Sequence, residues 1–248
     1  MKRIAIIGGT GFEDPNILKD PDPILLNTPY GEPSSDFLSG KINNVEVVLV
    51  SRHGKNHTIT PTQVNNRANI YAIKELECSH ILATTACGSL REEIKPGDLV
   101  FPDQFIDFTR FRANTFHGEF NPGELQHTAM AEPFDARMRR KLTEAASELN
   151  LPMHTSGTVV TIEGPRFSTR AESLMFQTWG ADIINMSTAP EAILANEAGI
   201  PYAAIALCTD FDSWKEGGES VTWEAVLDIF NKNVEHVISL ITKTLTLL

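Results

Sequence analysis

Two carboxylates stand two residues apart in the run Thr209-Asp210-Phe211-Asp212-Ser213-Trp214, directly after the apolar stretch Ile205-Ala206-Leu207-Cys208. If that stretch is a strand, both acids leave its C-terminal end on the same side, where open α/β sheets bind ligands. Like charges at one mouth repel, so one pKa should rise enough to hold a proton near neutrality. A protonated Asp can donate a hydrogen bond to a leaving group, and an ionised one can accept from an exocyclic amine. Alone, an Asp-x-Asp pair reads first as a polar loop with a helix-capping Asp. The rest of the chain decides.

Three further strand ends carry anion-binding chemistry. Ile6-Ile7-Gly8-Gly9-Thr10-Gly11-Phe12 runs an apolar stretch into a glycine turn, where freed amides and the Thr10 hydroxyl can approach an oxyanion. A dinucleotide fingerprint would need a third glycine where Asp14 stands, and Pro15 interrupts any helix opening there. Ser51-Arg52-His53-Gly54-Lys55-Asn56-His57 offers a planar guanidinium fork plus two imidazoles as donors. A metal site on His53 and His57 is disfavoured, because four-residue spacing needs a helix and Gly54 and Pro61 break one. Ala83-Thr84-Thr85-Ala86-Cys87-Gly88-Ser89 again leaves a strand into a Gly/Ser turn with exposed donors.

Alternating patterns must position these pieces. Strands are predicted at Arg3–Gly8, Val45–Ser51, Ser79–Thr85, Leu99–Phe105, Thr155–Ile162, Ala181–Met186 and Tyr202–Thr209. Apolar spacing of three and four predicts helices over Val64–Leu76 and Arg137–Leu149. Further helices are predicted at Thr169–Trp179, Pro190–Ala198 and Thr222–Leu245, with Pro190 in a first turn and Gly199 as a stop. The alternation predicts one α/β domain spanning 1–248, with a mixed, largely buried sheet surrounded by helices. Phe108–Glu132 has no clean period, and a loop that long is usually functional or lies at a subunit contact.

Bulk composition excludes several classes. The chain has 248 residues, 42% hydrophobic and 21% charged, enough for one sizeable core. Its net charge of −11 argues against nucleic-acid binding, and an anionic substrate would need locally placed cations. Cys78, Cys87 and Cys208 are odd in number and widely spaced, which reads as reduced thiols in the cytoplasm. The apolar run Ile4 to Ile7 is too short for a signal-peptide core. No stretch approaches the ~20 apolar residues of a membrane span.

With these pieces in order, the chain resembles the trimeric nucleoside phosphorylase family almost end to end. The match runs through IIGGTGF at 6–12, RHGKNHTITP at 52–61, TTACGSLREEIKPGD at 84–98 and DQFID at 103–107. It continues through MAEPF at 130–134, TIEGPRFSTRAES at 161–173, WGADIINMSTAPEAILANEAGI at 179–200 and TDFDSWKE at 209–216. The resemblance implies that inorganic phosphate attacks the ribose anomeric carbon and releases a purine, with no metal and no organic cofactor. It implies that Thr10, Arg52, His53, Thr85, Ala86 and Ser187 hold phosphate, with His57 nearby. Met186 would line the ribose, Phe167 would stack on the base, and Ser168, Asp210, Phe211 and Asp212 would frame the purine edge. His127 would reach a neighbouring subunit's sugar pocket in a homotrimer. Without the resemblance, Met186 and Phe167 read as ordinary core residues.

The mechanism so implied has two parts. A phosphate dianion beneath the sugar steadies the oxocarbenium charge and acts as nucleophile. A neutral Asp210 protonates purine N7 as the base departs, with Asp212 accepting from the 6-amino group or keeping Asp210 protonated. A 6-oxopurine would suit Asn at 210 and a carboxylate at 168; Asp210 and Ser168 are the 6-aminopurine pattern. The resemblance further implies 5'-methylthioadenosine as the substrate, cleaved to adenine and 5-methylthioribose 1-phosphate. The alternative is a broader phosphorylase acting on adenosine or inosine. Trp223 stands where the family carries Val, at the 5' end of the ribose beside Val226 and Leu227, which puts the size of the 5' group in doubt.

Overall fold

The computed structural model describes residues 3–9, 17–217 and 222–248. Its first strands are β1 (Arg3–Gly8), β2 (Lys19–Ile24), β3 (Phe37–Ile42) and β4 (Val45–Ser51). Helix α1 (Asn66–Glu75) leads to β5 (Cys78–Ser89), β6 (Leu99–Val100) and β7 (Gln104–Phe108). Next come α2 (Ala136–Glu148), β8 (Met153–His154), β9 (Thr158–Ile162), α3 (Arg170–Thr178) and β10 (Ile183–Asn185). Helix α4 (Thr188–Glu197), β11 (Tyr202–Phe211) and α5 (Trp223–Leu247) complete the chain. This is a mixed α/β domain.

Among the described residues eleven strands form one sheet, ordered β2-β3-β4-β1-β5-β10-β9-β7 with β11, β6 and β8 branching from β5. β5 is the spine. Its first half pairs β1, most of its length pairs β11 in parallel, and its last residues pair β10 antiparallel. β1 and β4 are near-continuous apolar runs buried on both faces, as parallel central strands must be. One core of Ile, Val and Ala side chains lies beneath α1 and α4, and a second lies beneath α2 and α5.

Helix ends follow their caps. The Asp135 carboxylate accepts from the Met138 amide, and Thr169 with Glu172 forms a reciprocal capping box. Gly199, at φ +72°, stops α4 as expected.

Several boundaries differ from the sequence pattern. The predicted Gly/Ser turn after Thr85 is still strand, since β5 runs on to Ser89 by pairing β11 and β10. The predicted strand Leu99–Phe105 splits into β6 and β7 around Pro102, which has no N–H to donate to a ladder. β2 and β3 lacked a readable signal: β2, KDPDPI, is exposed, carries two prolines and sits at the sheet edge. The stretch from Thr109 to Asp135 is irregular as expected.

Candidate active site

The C-terminal ends of β4, β5, β10 and β11 converge on one cavity of about 390 Å³, a size that suits a small ligand. Arg52, His53, His57, Thr85, Ala86 and Ser187 line one part of it. Phe167, Ser168, Met186, Asp210, Asp212 and Val226 line the rest. The cavity thus joins donors suited to an anion with a pair of acids.

Arg52 directly follows β4 and is 2% exposed. Its Nε and Nη2 donate to the two carboxylate oxygens of Glu191 on α4, and Nη1 donates to the Thr84 carbonyl at 2.8 Å. Tyr202 Oη donates to the same Glu191 at 2.9 Å. A buried fork held this way is pre-aimed, so little side-chain freedom is lost on binding an anion. Gly9 makes room for it: a Cβ there would lie 2.5 Å from the Thr84 oxygen and 2.6 Å from Arg52 Nη1. The Gly9 amide donates to Thr84 Oγ1 at 3.0 Å. Thr10 lies outside the described residues.

His53 Nδ1 lies 2.8 Å from the Ile59 carbonyl. A carbonyl only accepts, so Nδ1 carries the hydrogen and Nε2 of the neutral ring is an acceptor. Burial and then the Arg52 charge lower its pKa to about 4, which keeps it neutral. The expectation that both imidazoles donate is corrected here for His53. The His53 and His57 rings stack with centroids 4.5 Å apart, brought together by a turn rather than a helix. Among the described residues no group of three His, Cys, Asp or Glu could hold a metal ion.

Thr85 and Ser187 hydroxyls meet at 3.2 Å, and Asn185 Nδ2 donates to Thr85 Oγ1 at 3.3 Å. Asn185 also donates to Thr188, which ties the end of β10 to the start of α4. Ser187 therefore sits at the N-cap position of a buried helix, where amides favour negative charge.

At the opposite part, Asp210 accepts from Thr209 Oγ1 at 2.8 Å. Burial, only partly offset by that hydroxyl and helped by the Asp212 charge, raises its pKa to about 6. Repulsion between the acids was the expected cause; desolvation is the larger one. Asp212 is also raised, mainly by burial, but Ser168 Oγ donates to it and opposes the shift. Of the two acids, Asp212 alone has a hydroxyl donor from Ser168 opposing the effect of burial. Gly88 lets both acids close in, since a Cβ there would lie 3.0 Å from Asp210 Oδ1 and 3.3 Å from the Asp212 Cβ.

Phe211 does not line the cavity: alternation along β11 turns its ring to Trp214 at 6.0 Å, under the Lys215 ammonium. A direct role for its side chain at the purine edge is thus corrected. His127 stands on the exposed excursion against Phe120, outside this chain's own cavity. The Trp223 side chain lies outside the described residues, whereas Val226 from the same helix does reach the cavity. Sequence reasoning missed Glu191, Asn185 and Gly88. Glu191 had one signal, a lone charge in the apolar run Ala189-Pro190-Glu191-Ala192-Ile193-Leu194.

The chain matches the phosphorylase superfamily over residues 3–246. It is 53% identical over 241 residues to the S-methyl-5'-thioadenosine phosphorylase of Danio rerio, covering 96% of this chain and 86% of that one. The Drosophila melanogaster protein of the same name is 50% identical, with coverage of 95% and 82%. Among solved structures, methylthioadenosine phosphorylase from Schistosoma mansoni in complex with adenine superposes with a TM-score of 0.94 at 44% identity, covering all of this chain and 92% of that one. A mutant of adenosine/methylthioadenosine phosphorylase from the same organism, in complex with methylthioadenosine, gives 0.93 at 44% identity, covering 100% and 91%.

Proposed function

The chain belongs to the phosphorylase superfamily, and from that membership we propose that it cleaves S-methyl-5'-thioadenosine with inorganic phosphate, giving adenine and 5-methylthioribose 1-phosphate. One observation carries the reading. A single cavity holds Arg52, Thr85 and Ser187 for an anion together with an acid, Asp210, that titrates at about 6.

Phosphate bound by Arg52, Thr85, Ser187 and the α4 N-terminus stabilises positive charge developing on the ribose and attacks its anomeric carbon. Asp210 delivers its proton to purine N7 as the glycosidic bond breaks, so the base leaves neutral. Asp212, held by Ser168, accepts from the 6-amino group. Phe167, 37% exposed, offers a face for the base, and Met186 offers one for the sugar. Val226 gives the 5' thioether an apolar wall. No metal or organic cofactor is needed for these steps.

The working form we propose is a homotrimer in the cytoplasm, with His127 completing a neighbour's sugar pocket. Exposed Phe111, Leu174 and Trp179 support a buried subunit face, and three free thiols suit a reducing compartment. Among the described residues no helix is long and apolar enough to cross a membrane.

Adenine release from methylthioadenosine and adenosine, and hypoxanthine release from inosine, each with and without phosphate, tests the reading. Turnover of methylthioadenosine only when phosphate is present is expected, with inosine poorest. Equal release in phosphate-free buffer would make the enzyme a hydrolase.

A further inference from the structure

Met186 and Ser187 are neighbours in the chain and both line the cavity, one offered to the sugar and the other to the anion. The peptide that joins them therefore sets the interval between the two reactants. Its carbonyl, on Met186, gets no donor from the first turn of α4. Pro190 has no N–H, and the Ala189 amide donates to Thr161 Oγ1 at 3.0 Å. Arg112, 74 positions earlier in the irregular excursion, supplies the missing bond through Nη1 at 3.1 Å.

The rest of that guanidinium is fixed as firmly. Nη2 donates to the Glu163 carbonyl at 2.6 Å and Nε to Glu163 Oε1 at 2.8 Å, with the Arg112 side chain 1% exposed. Glu163 directly follows β9, and Met186 directly follows the adjacent parallel strand β10. One planar group thus spans two strand ends. The Glu163 carboxylate is itself tied down: Thr62 Oγ1 donates to it at 2.7 Å, and the Arg110 and Phe111 amides donate at 2.7 and 3.1 Å. Gly164 completes the grip, since a Cβ there would overlap Met186 Sδ. The methionine is held by its carbonyl at one end and by its thioether at the other.

We propose that Arg112, oriented by Glu163, is a positioning residue for phosphorolysis: it fixes the Met186–Ser187 peptide and with it the spacing between sugar and phosphate. The inference rests on the reaction proposed above. Neither Arg112 nor Glu163 lines the cavity, so both act only through the residues they hold. Spacing of this kind governs the chemical step more than the strength of binding, and a displacement of about 1 Å can cost about 100-fold in rate. Charge alone would not suffice. Lysine keeps the positive charge but lacks the planar fork that reaches three separate acceptors.

Arg112→Lys is the discriminating variant, read by steady-state kinetics with methylthioadenosine and phosphate. Its kcat should fall about 10- to 100-fold, while the KM values for nucleoside and phosphate each stay within about threefold. In a Ser187→Ala background the same change should cost at least about threefold less in kcat, because the hydroxyl being positioned is gone. A merely structural ion pair would leave kcat unchanged in the folded variant, or act additively with Ser187→Ala; either result overturns the role. So does a loss explained by a rise in either KM. Glu163→Asp keeps the charge but draws the carboxylate back by one methylene, and it carries the test if Arg112→Lys does not fold. Its kcat too should fall with both KM values held, and an unchanged kcat there would overturn the role. Wild type runs beside each variant with and without phosphate. Base release that ignores phosphate sinks the reaction and this role together, whereas phosphate-dependent release equal in wild type and variants sinks this role alone.

Discussion

The guanidinium of Arg52 and the carboxylate of Glu191 form a bidentate ion pair with both side chains at most 2% exposed. The charge that should attract phosphate is thus already half spent on a fixed partner. Removing one member of such a pair costs about 3–5 kcal/mol, because the other is left buried and unpaired. Glu191→Gln should lose that much in phosphate-free buffer. Phosphate would then serve as the counter-ion, so saturating phosphate should raise the variant's melting temperature more than the wild type's. Equal shifts in the two proteins would mean that Arg52 does not face the anion.

Asp210 offers a prediction with a definite sign. In the unfolded chain it ionises near 3.8, and in the fold at about 6. Between those values the folded state holds the extra proton, so stability falls as pH rises through that window and stays lowered above it. The gap corresponds to about 3 kcal/mol. Asp210→Asn should gain up to that amount at about pH 8 and nothing below about pH 3.5, by chemical denaturation. The same variant should lose about 10²- to 10⁴-fold in kcat with methylthioadenosine. An Asn variant with full activity would remove Asp210 as the proton donor.

Wild-type kcat/KM should decline as pH climbs above about 6, since roughly a tenth of Asp210 holds its proton at neutrality. Flat kcat/KM from pH 5.5 to about 8 would show that binding, not this carboxyl, governs the step.

With Nδ1 committed to Ile59, His53 can only accept at Nε2. Hydrogen phosphate has an O–H to give it; sulfate near neutrality has none. An acceptor left unmatched costs about 1–3 kcal/mol, so sulfate should compete roughly 10- to 100-fold more weakly than phosphate binds. His53→Gln, whose amide can donate, should narrow that ratio. Competition by sulfate at phosphate-like affinity in the wild type would contradict the tautomer.

Gly88→Ala places a methyl 3.0 Å from Asp210 Oδ1 and 3.1 Å from Ile184 Cγ2. Overpacking of this kind costs about 1–3 kcal/mol. The substitution should raise the KM for nucleoside while leaving the KM for phosphate within about twofold, because the displaced carboxyls lie at the base end. An equal rise in both constants would indicate general distortion instead.

Much of the site was readable because its residues follow apolar runs. Arg52 and Asp210 sit at or just beyond the ends of strands whose Val, Ile and Ala patterns mark them plainly. What could not be read depends on contacts between distant segments. Glu191 acts through a partner 139 positions away, and the role of Gly88 appears only when β11 lies against β5. Period-two reasoning did predict that Asp210 and Asp212 share a side, but it also implied that Phe211 faces away, a consequence that family likeness obscured. β2 was invisible because an exposed edge with two prolines carries neither alternation nor a turn signature.

β5 carries Thr85 at the anion end of the cavity and Gly88 at the carboxylate end, in one unbroken run. Three residues of extended chain measure about 10 Å, and flanking strands leave that length no slack. The molecule therefore holds a ruler: co-substrates must match an interval set by backbone geometry, not by a hinge. Analogues stretched or shortened between their base and their leaving end meet a gauge that will not adjust to them.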